Sequence, residues 1–460
     1  MRGYAHLCKV VANMWKCPVC SNEMNKERLC KSCGFDSSKD FIQYRTLFVV
    51  PEEDVSKYME SLTNIRKIEY DDGSWYEGEC KNGKPHGKGT YVYSNGDRYV
   101  GEFQEGLRHG NCVYYCWSGE IYEGTYVHDA REGQGKFYYN ANHFVEGTWK
   151  NSRLIWGRET YEDGRIYEGE YFVGKRHGKG RFYWTDGQIF DGTWEKGQRC
   201  FGKETYVNGN RYEGYYLNDK RHGSGTYYWK NGCTFSGDWR EGERTRGKET
   251  FESGNIYEGE YSDDTMNGQG VLYYKNGNRY EGGFVKGKRH GKGAFYWPDG
   301  DVFSGDWKND ERIRGKETYA NGDVYDGEFV NDKRQGQAVF THKEGDRYVG
   351  SYYDGVRHGE GTFYHANGCI CKGIWKNGYR IHCRETYSDG NVYDGDFLEG
   401  KYHGKGTYYY ANGDRYEGEY VQGKRHGQGV YYYKNGRKQE GQWENDQFIK
   451  KGIFDKLFKK

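Results

Sequence analysis

Proline is almost missing from this chain, with 4 residues in 460. Turns must therefore be built from its 71 glycines, which accept the positive φ of tight reversals. Apolar residues are also scarce: all hydrophobic types together make up 34%, too little for a thick two-layer core. No apolar run approaches the ~18 residues of a membrane-spanning helix, and no charged-then-apolar leader with a cleavage site is present. The expectation is a soluble cytoplasmic protein without a transmembrane segment. Net charge is lacking as well, since 69 basic and 68 acidic residues leave a formal +1. A balanced chain has no global field drawing it onto nucleic acid or anionic lipid, so nucleic acid is not favoured as a partner. Of the 13 cysteines, four cluster near the N-terminus. Most of the rest are scattered without pairing logic, as expected of reduced thiols.

What is abundant is the aromatic ring. Aromatics make up 18% of the chain, with 48 Tyr, which excludes the aromatic-poor profile of a disordered polypeptide. They are arranged in a repeat. A glycine preceded by an aromatic-plus-acid pair, as in YEG, recurs from Gly78 to Gly441 every 22 or 23 residues, giving seventeen units between about residues 70 and 447. One clear copy is YEGEYVQGKRHGQGVYYYKNG at residues 416–436. Each unit carries two turn signals, GKRHG and NGDRY, separated by short aromatic segments that read as strands. One unit is thus a β-hairpin, marginal alone, and stacking hairpins edge to edge pairs their backbones in a solenoid-like array. The glycines of HGKGT leave a flat strand surface on which a neighbouring ring can lie. Consecutive aromatics such as Phe182-Tyr183-Trp184 point to opposite faces, so aromatic rows are expected on both.

This repeat resembles the MORN repeat, over roughly four-fifths of the chain. The resemblance implies an all-β fold: an elongated, twisted, single-layer antiparallel sheet of stacked MORN β-hairpins. It also implies a range of settings, among them cytoskeletal and ciliary scaffolds, junctional membrane proteins, plant phosphoinositide kinases and a lysine methyltransferase. In the enzymes, catalysis belongs to a separate domain, so the repeat does not fix function. Here no residues remain for such a domain, and no P-loop, nucleophile elbow or catalytic metal motif is present. The chain is expected not to be an enzyme.

Several rows in the repeat invite a chemical reading. His86, His109, His177, His222, His290, His358, His403 and His426 recur at one position. Equivalent positions should lie about 10 Å apart, too far to share a metal ion, so they are read as turn residues. RGKETY at 314–319, with four near-copies, places Glu159, Glu204, Glu249, Glu317 and Glu385 in a second row. Successive members are two or three units apart, roughly 20–30 Å, whereas carboxylates that act jointly on glycosides sit about 5–9.5 Å apart. Joint catalysis is excluded on distance. All five lie in 22-residue units that carry Trp149, Trp194, Trp239, Trp307 or Trp375 two residues after the key glycine. Trp443 repeats that opening in the last unit. In these units the segment from the GKE glycine to the next turn reads as two residues shorter, and the turn before it as one longer. Two expectations follow: bend points in the sheet, or a docking ladder. The Lys-Arg pairs of GKRHG, such as Lys175-Arg176 and Lys424-Arg425, read as a solvated, charge-mixed sheet edge.

The ends differ from the array. Cys17, Cys20, Cys30 and Cys33 form C-x2-C-x9-C-x2-C, which resembles a short zinc ribbon. Four thiolates at about 2.3 Å would close a structural zinc site. The segments are therefore residues 1–40, zinc-ribbon-like; 41–69, a strand–helix cap or linker; 70–447, the array; and 448–460, a basic amphipathic helix. The expected function is a non-catalytic scaffold for protein partners, with cytoskeletal or ciliary assembly as one setting. The alternative is a peripheral membrane or phosphoinositide-binding module contacting anionic lipid. Homo-oligomerisation is a further expectation from the resemblance.

Overall fold

The computed structural model describes residues 65–449. Residues 1–64 and 450–460, and with them the zinc-ribbon-like segment, most of the 41–69 strand–helix cap or linker and most of the C-terminal tail, lie outside the described residues. Among the described residues there are 35 strands and no helix. They divide into two compact units, one running through Lys230 with Arg240–Gly242 and the other comprising Asn231–Trp239 and the chain from Glu243. Within each, successive strands pair antiparallel in chain order. The first strand, Ile65–Glu69, pairs with Trp75–Lys81. At the other end Phe448, read from sequence as the start of a helix, lies in a strand and pairs with Trp443.

One hairpin shows why these residues fold this way. In the Gly169 hairpin, strands Ile166–Phe172 and Lys175–Tyr183 flank a two-residue turn at Val173-Gly174. Both turn residues have positive φ, 49° and 69°, the backbone that matches strand twist in a two-residue reversal. The turn is therefore the residue pair before KRHG, and KRHG itself opens the second strand. That corrects the placement of the histidine row, which lies on strands. The second connection, at Trp184–Gln188, closes with Trp184 N–H donating to the Gln188 carbonyl (3.0 Å) and Gly187 N–H to that of Trp184 (3.1 Å).

The ladder is interrupted beyond the central glycines. Gly169 faces Gly180, but Tyr171 faces Arg176, so the second strand bulges between them. Tyr167 lies fully buried over the glycine pair, where a Cβ on Gly180 would collide with its ring. Its hydroxyl donates to the Glu170 carbonyl (2.9 Å), which sits in the gap left by the bulge. The same bond recurs from Tyr99 to Glu102 and from Tyr325 to Glu328, at 2.8 Å in each. Expectation and structure agree that glycine supplies the platform for the ring. The hydroxyl has its own task, satisfying a buried carbonyl.

The 22-residue hairpins are built differently. In the Gly192 hairpin the ladder runs one residue further, with Thr193 opposite Phe201, and only then shifts, to Trp194 opposite Arg199. The same extension occurs at Thr148, Asp306 and Ile374. The second strand has 8 residues rather than 9. The two-residue turn is unchanged, at Lys196-Gly197, so the missing residue comes out of the bulge before the glycine. The longer turn read from sequence is not there. In these hairpins the residue after the key glycine continues the glycine register instead of following the shift. The residue over the glycines is Val145, Phe190, Phe235, Phe303 or Cys371, whereas every 23-residue unit has Tyr.

Within each unit the core is one face of a single layer. Buried rings meet edge to face along it: Tyr167 with Trp194 (5.3 Å between centroids), Phe190 with Trp194 (5.3 Å) and Phe190 with Tyr216 (5.4 Å), a geometry favoured by the ring quadrupole. Trp194, Trp307 and Trp443 each donate an indole N–H to the second-strand glycine carbonyl of the preceding hairpin (3.1–3.2 Å). Each hairpin is thereby pinned to the one before it. In the Gly373 hairpin Cys371 replaces the ring and Cys383 the facing glycine, and the two form a disulfide. The expectation of reduced thiols is corrected there: the two positions lie diagonally across the hairpin, Cys371 opposite Glu385 and Cys383 opposite Gly373, with Cα atoms 6.0 Å apart, within disulfide reach.

Candidate functional site

The glutamate row lies inside the protein. Glu159, Glu204, Glu249, Glu317 and Glu385 are the buried acids of the described residues. Strand register explains the burial. Glu204 stands opposite Phe190, where Phe182 stands opposite Tyr167 in a 23-residue hairpin, so the acid occupies an aromatic position on the core face. A lone buried carboxylate would be costly, and each is given partners. Glu204 receives Arg199 Nη1 (2.6 Å), Tyr206 and Tyr216 hydroxyls (2.6 and 2.9 Å) and the Gln188 amide (2.6 Å). Glu249 receives Arg244 and Tyr261, and Glu317 receives Arg312 and Tyr319. At Glu159, where Leu154 replaces the arginine, His143 Nε2 (2.8 Å) and Tyr171 (2.6 Å) take over. Burial, reinforced by the adjacent carboxylate, pushes the Tyr171, Tyr216 and Tyr261 phenols far above their ordinary range. They stay protonated and donate. What this arrangement does chemically is hold hairpins together.

The arginines of the KRHG strings are not a solvated row. Arg176 stacks on Trp194 (4.3 Å) and Arg425 on Trp443 (4.6 Å), contacts that combine ring area with charge. Their guanidinium groups reach the next hairpin's turn: Arg176 to the Gly197 carbonyl (2.9 Å), Arg425 to Asp446 (3.1 Å). The lysines beside them are exposed. Among the histidines, the Nδ1 atoms of His109, His177, His290, His358 and His403 are buried without a hydrogen-bond partner. Arg334 meets the glutamate row through Tyr319, whose hydroxyl accepts from its guanidinium and donates to Glu317. The predicted zinc ligands Cys17, Cys20, Cys30 and Cys33 lie outside the described residues.

The face opposite the tyrosines carries polar and charged side chains beside its glycines. Across part of it, Gly247, Gly259, Gly270, Gly282 and Gly293 are successive register partners. They floor an open groove of about 820 Å³, bordered by Arg246, Lys248, Glu258, Gln269, Glu281 and Lys292. A second feature was missed from sequence. The residue just before each hairpin turn points to this face, and in most 23-residue hairpins it is apolar and exposed: Phe172, Leu217, Val330, Tyr353, Leu398 and Val421 are examples. In every tryptophan hairpin the same position is charged and exposed: Lys150, Glu195, Arg240, Lys308, Lys376 and Glu444. The signal was present in the repeat, three residues after the key glycine. It becomes meaningful once the strand ends are known.

The family model of the MORN repeat matches twelve segments: residues 76–98, 99–119, 122–143, 167–189, 190–211, 212–234, 257–279, 280–302, 325–347, 348–370, 393–415 and 416–436. The chain belongs to the MORN-repeat family. The gaps between matches fall on the tryptophan units of Gly147, Gly237, Gly305 and Gly373, while the tryptophan unit of Gly192 is matched. No curated protein matches the chain. Among solved structures it is similar to the SAS-4 (dCPAP) TCP domain of Drosophila melanogaster in complex with a proline-rich motif of Ana2 (dSTIL). That likeness has 12% identity, 34% of this chain and 90% of that one covered, and a TM-score of 0.23. It is also similar to the TCP10 domain of Danio rerio CPAP, at 13% identity, with 52% and 98% covered and a TM-score of 0.20. Likenesses this loose carry no functional argument.

Proposed function

We propose that this chain is a non-catalytic scaffold that presents the exposed face of its hairpins to protein partners, within a cytoskeletal or ciliary assembly of the cytoplasm. The observation that carries the reading is the row at the hairpin turns, apolar at Phe172, Leu217, Val330 and Leu398 and charged at every tryptophan hairpin. Within each unit hairpins repeat at about 10 Å, so the charged positions divide its row into short apolar stretches and give a partner a register. Supporting it, the titratable groups that first invite a catalytic reading are engaged by arginine and tyrosine within the array. The cytoskeletal or ciliary setting rests on where MORN arrays occur.

The test is localisation of the tagged full-length protein in its own cell, together with flotation on liposomes with and without phosphoinositides. The scaffold reading expects a filament- or axoneme-associated pattern and no flotation. Salt-sensitive, lipid-selective flotation would overturn it in favour of the membrane module. Cys17, Cys20, Cys30 and Cys33 are proposed to hold one structural zinc. Metal analysis of the full chain should lose one zinc equivalent when Cys17 and Cys30 are replaced by Ser, and unchanged zinc content would remove the site.

A further inference from the structure

Among the five GKET hairpins, that of Gly373 differs from the rest. Its glutamate, Glu385, lies close to two residues of the preceding connection, His365 and Cys369. One ligand atom from each of the three falls within 4.8 Å of the others. The matching pairs in the other four hairpins are Tyr139 and His143, Trp184 and Gln188, Trp229 and Cys233, and Trp297 and Asp301. Only the Gly373 hairpin carries metal-binding groups at both positions. That the second position reaches the glutamate is a property of the hairpin type: His143 and Gln188 contact Glu159 and Glu204 directly (2.8 and 2.6 Å).

We infer that His365, Cys369 and Glu385 form a binding site for a thiophilic divalent cation, zinc above all. A thiolate beside an imidazole and a carboxylate disfavours magnesium and calcium, which take oxygen ligands, and matches zinc. Cys369 and Glu385 are buried, while His365 is half-buried with its side chain 33% exposed, which leaves a path for entry. The ligand atoms of a tetrahedral zinc centre lie roughly 3.3–3.8 Å apart. Closure from the observed spacing therefore needs side-chain adjustment of about 1 Å. Cys369 Sγ is already 3.7 Å from Glu385 Oε1.

The competing group is Arg380, whose Nη1 donates to the same oxygen at 2.8 Å. It is held less firmly than its counterparts. Arg199, Arg244 and Arg312 each also place Nε on an aspartate of the next turn (2.9–3.0 Å), with side chains 11–12% exposed. The next turn after Arg380 is Glu399-Gly400. Arg380 there reaches only the Gly400 carbonyl (3.1 Å) and is 24% exposed. It can leave Oε1 to a metal while keeping Phe397 beneath it (4.2 Å). Tyr387 donates to Oε2 (2.6 Å) and would orient the carboxylate, as outer-shell partners of metal ligands do. Water would complete the coordination.

The test is cobalt(II) titration of the full chain with Cys17, Cys20, Cys30 and Cys33 replaced by Ser, which removes the other thiolate cluster. One equivalent of cobalt should bind with a thiolate-to-cobalt absorption band, and zinc should displace it. Cys369→Ala and His365→Ala should each abolish the band while leaving the metal-free unfolding midpoint unchanged, and Cys371→Ser should retain it. Absence of the band, its survival in Cys369→Ala, or its loss in Cys371→Ser would overturn this ligand set.

Discussion

At the residue scale, atoms that the repeat presents as one aromatic column have separate tasks. The Tyr167 ring fills space over a glycine pair and its hydroxyl satisfies the Glu170 carbonyl. Tyr167→Phe keeps the ring and should cost about 1–2 kcal/mol, from a buried carbonyl left unsatisfied, read as a lower urea midpoint. The ion pair predicts a larger effect. Arg199 and Glu204 have side chains 11% and 6% exposed; Glu204→Ala leaves Arg199 with Asp219 alone and takes the acceptor from the Tyr206 and Tyr216 hydroxyls, and should cost about 1–3 kcal/mol. If the carboxylate were a surface or catalytic group, the loss would be negligible. Val173 predicts the opposite sign. It is β-branched, exposed and held at φ 49°, so Val173→Asn should stabilise the chain by about 1 kcal/mol.

At the element scale there are two hairpin types, each a matched set of residues. The 23-residue type couples a wide bulge to Tyr over the glycines. The 22-residue type couples a ladder one residue longer to a non-tyrosine residue there, a tryptophan and a buried glutamate. The coupling can be measured as a cycle in the Gly192 hairpin. Phe190→Tyr alone and a one-residue insertion before Gly202 alone should each destabilise. Together they should cost at least about 1 kcal/mol less than their sum, the size of interaction found for residues that share one structural feature. Additive losses would contradict it. Much of this element was legible in sequence: the period, the strand segments, the glycine platform and the tryptophan hairpins as a distinct class. The position of the deleted residue was not. Matching GKE to GKG by spacing puts the change in the turn, and only cross-strand pairing shows that Glu204 stands opposite Phe190. The arginines were misread for a related reason. Their charge suggests solvent, whereas their position two residues after the turn aims them across the next hairpin's rings.

At the scale of the whole molecule, the buried tyrosines govern behaviour in alkali. Burial pushes the phenols of Tyr280, Tyr348 and Tyr416 up to about 12, against about 10 in an unfolded chain. Between those values the unfolded state has released protons that the folded state retains, so stability falls as pH rises. The stability is fully present below pH ~10 and is lost at ~1.4 kcal/mol per pH unit for each such tyrosine. Urea midpoints should be level from pH 7 to 9 and drop steeply by pH 11, in step with tyrosinate absorbance. The function of the chain is less legible than its fold, because the row that would meet a partner is single exposed side chains whose pattern appears only when strand ends are fixed.

That row offers the most direct test. The full-length chain carrying Phe172→Lys, Leu217→Lys, Val330→Lys and Leu398→Lys extends the charged positions of the tryptophan hairpins to four apolar ones. Proximity labelling in its own cell, compared with the unsubstituted chain, should lose the neighbours specific to the array, with the unfolding midpoint unchanged. An unaltered set of neighbours at an unaltered midpoint would contradict the claim that this face is where partners dock.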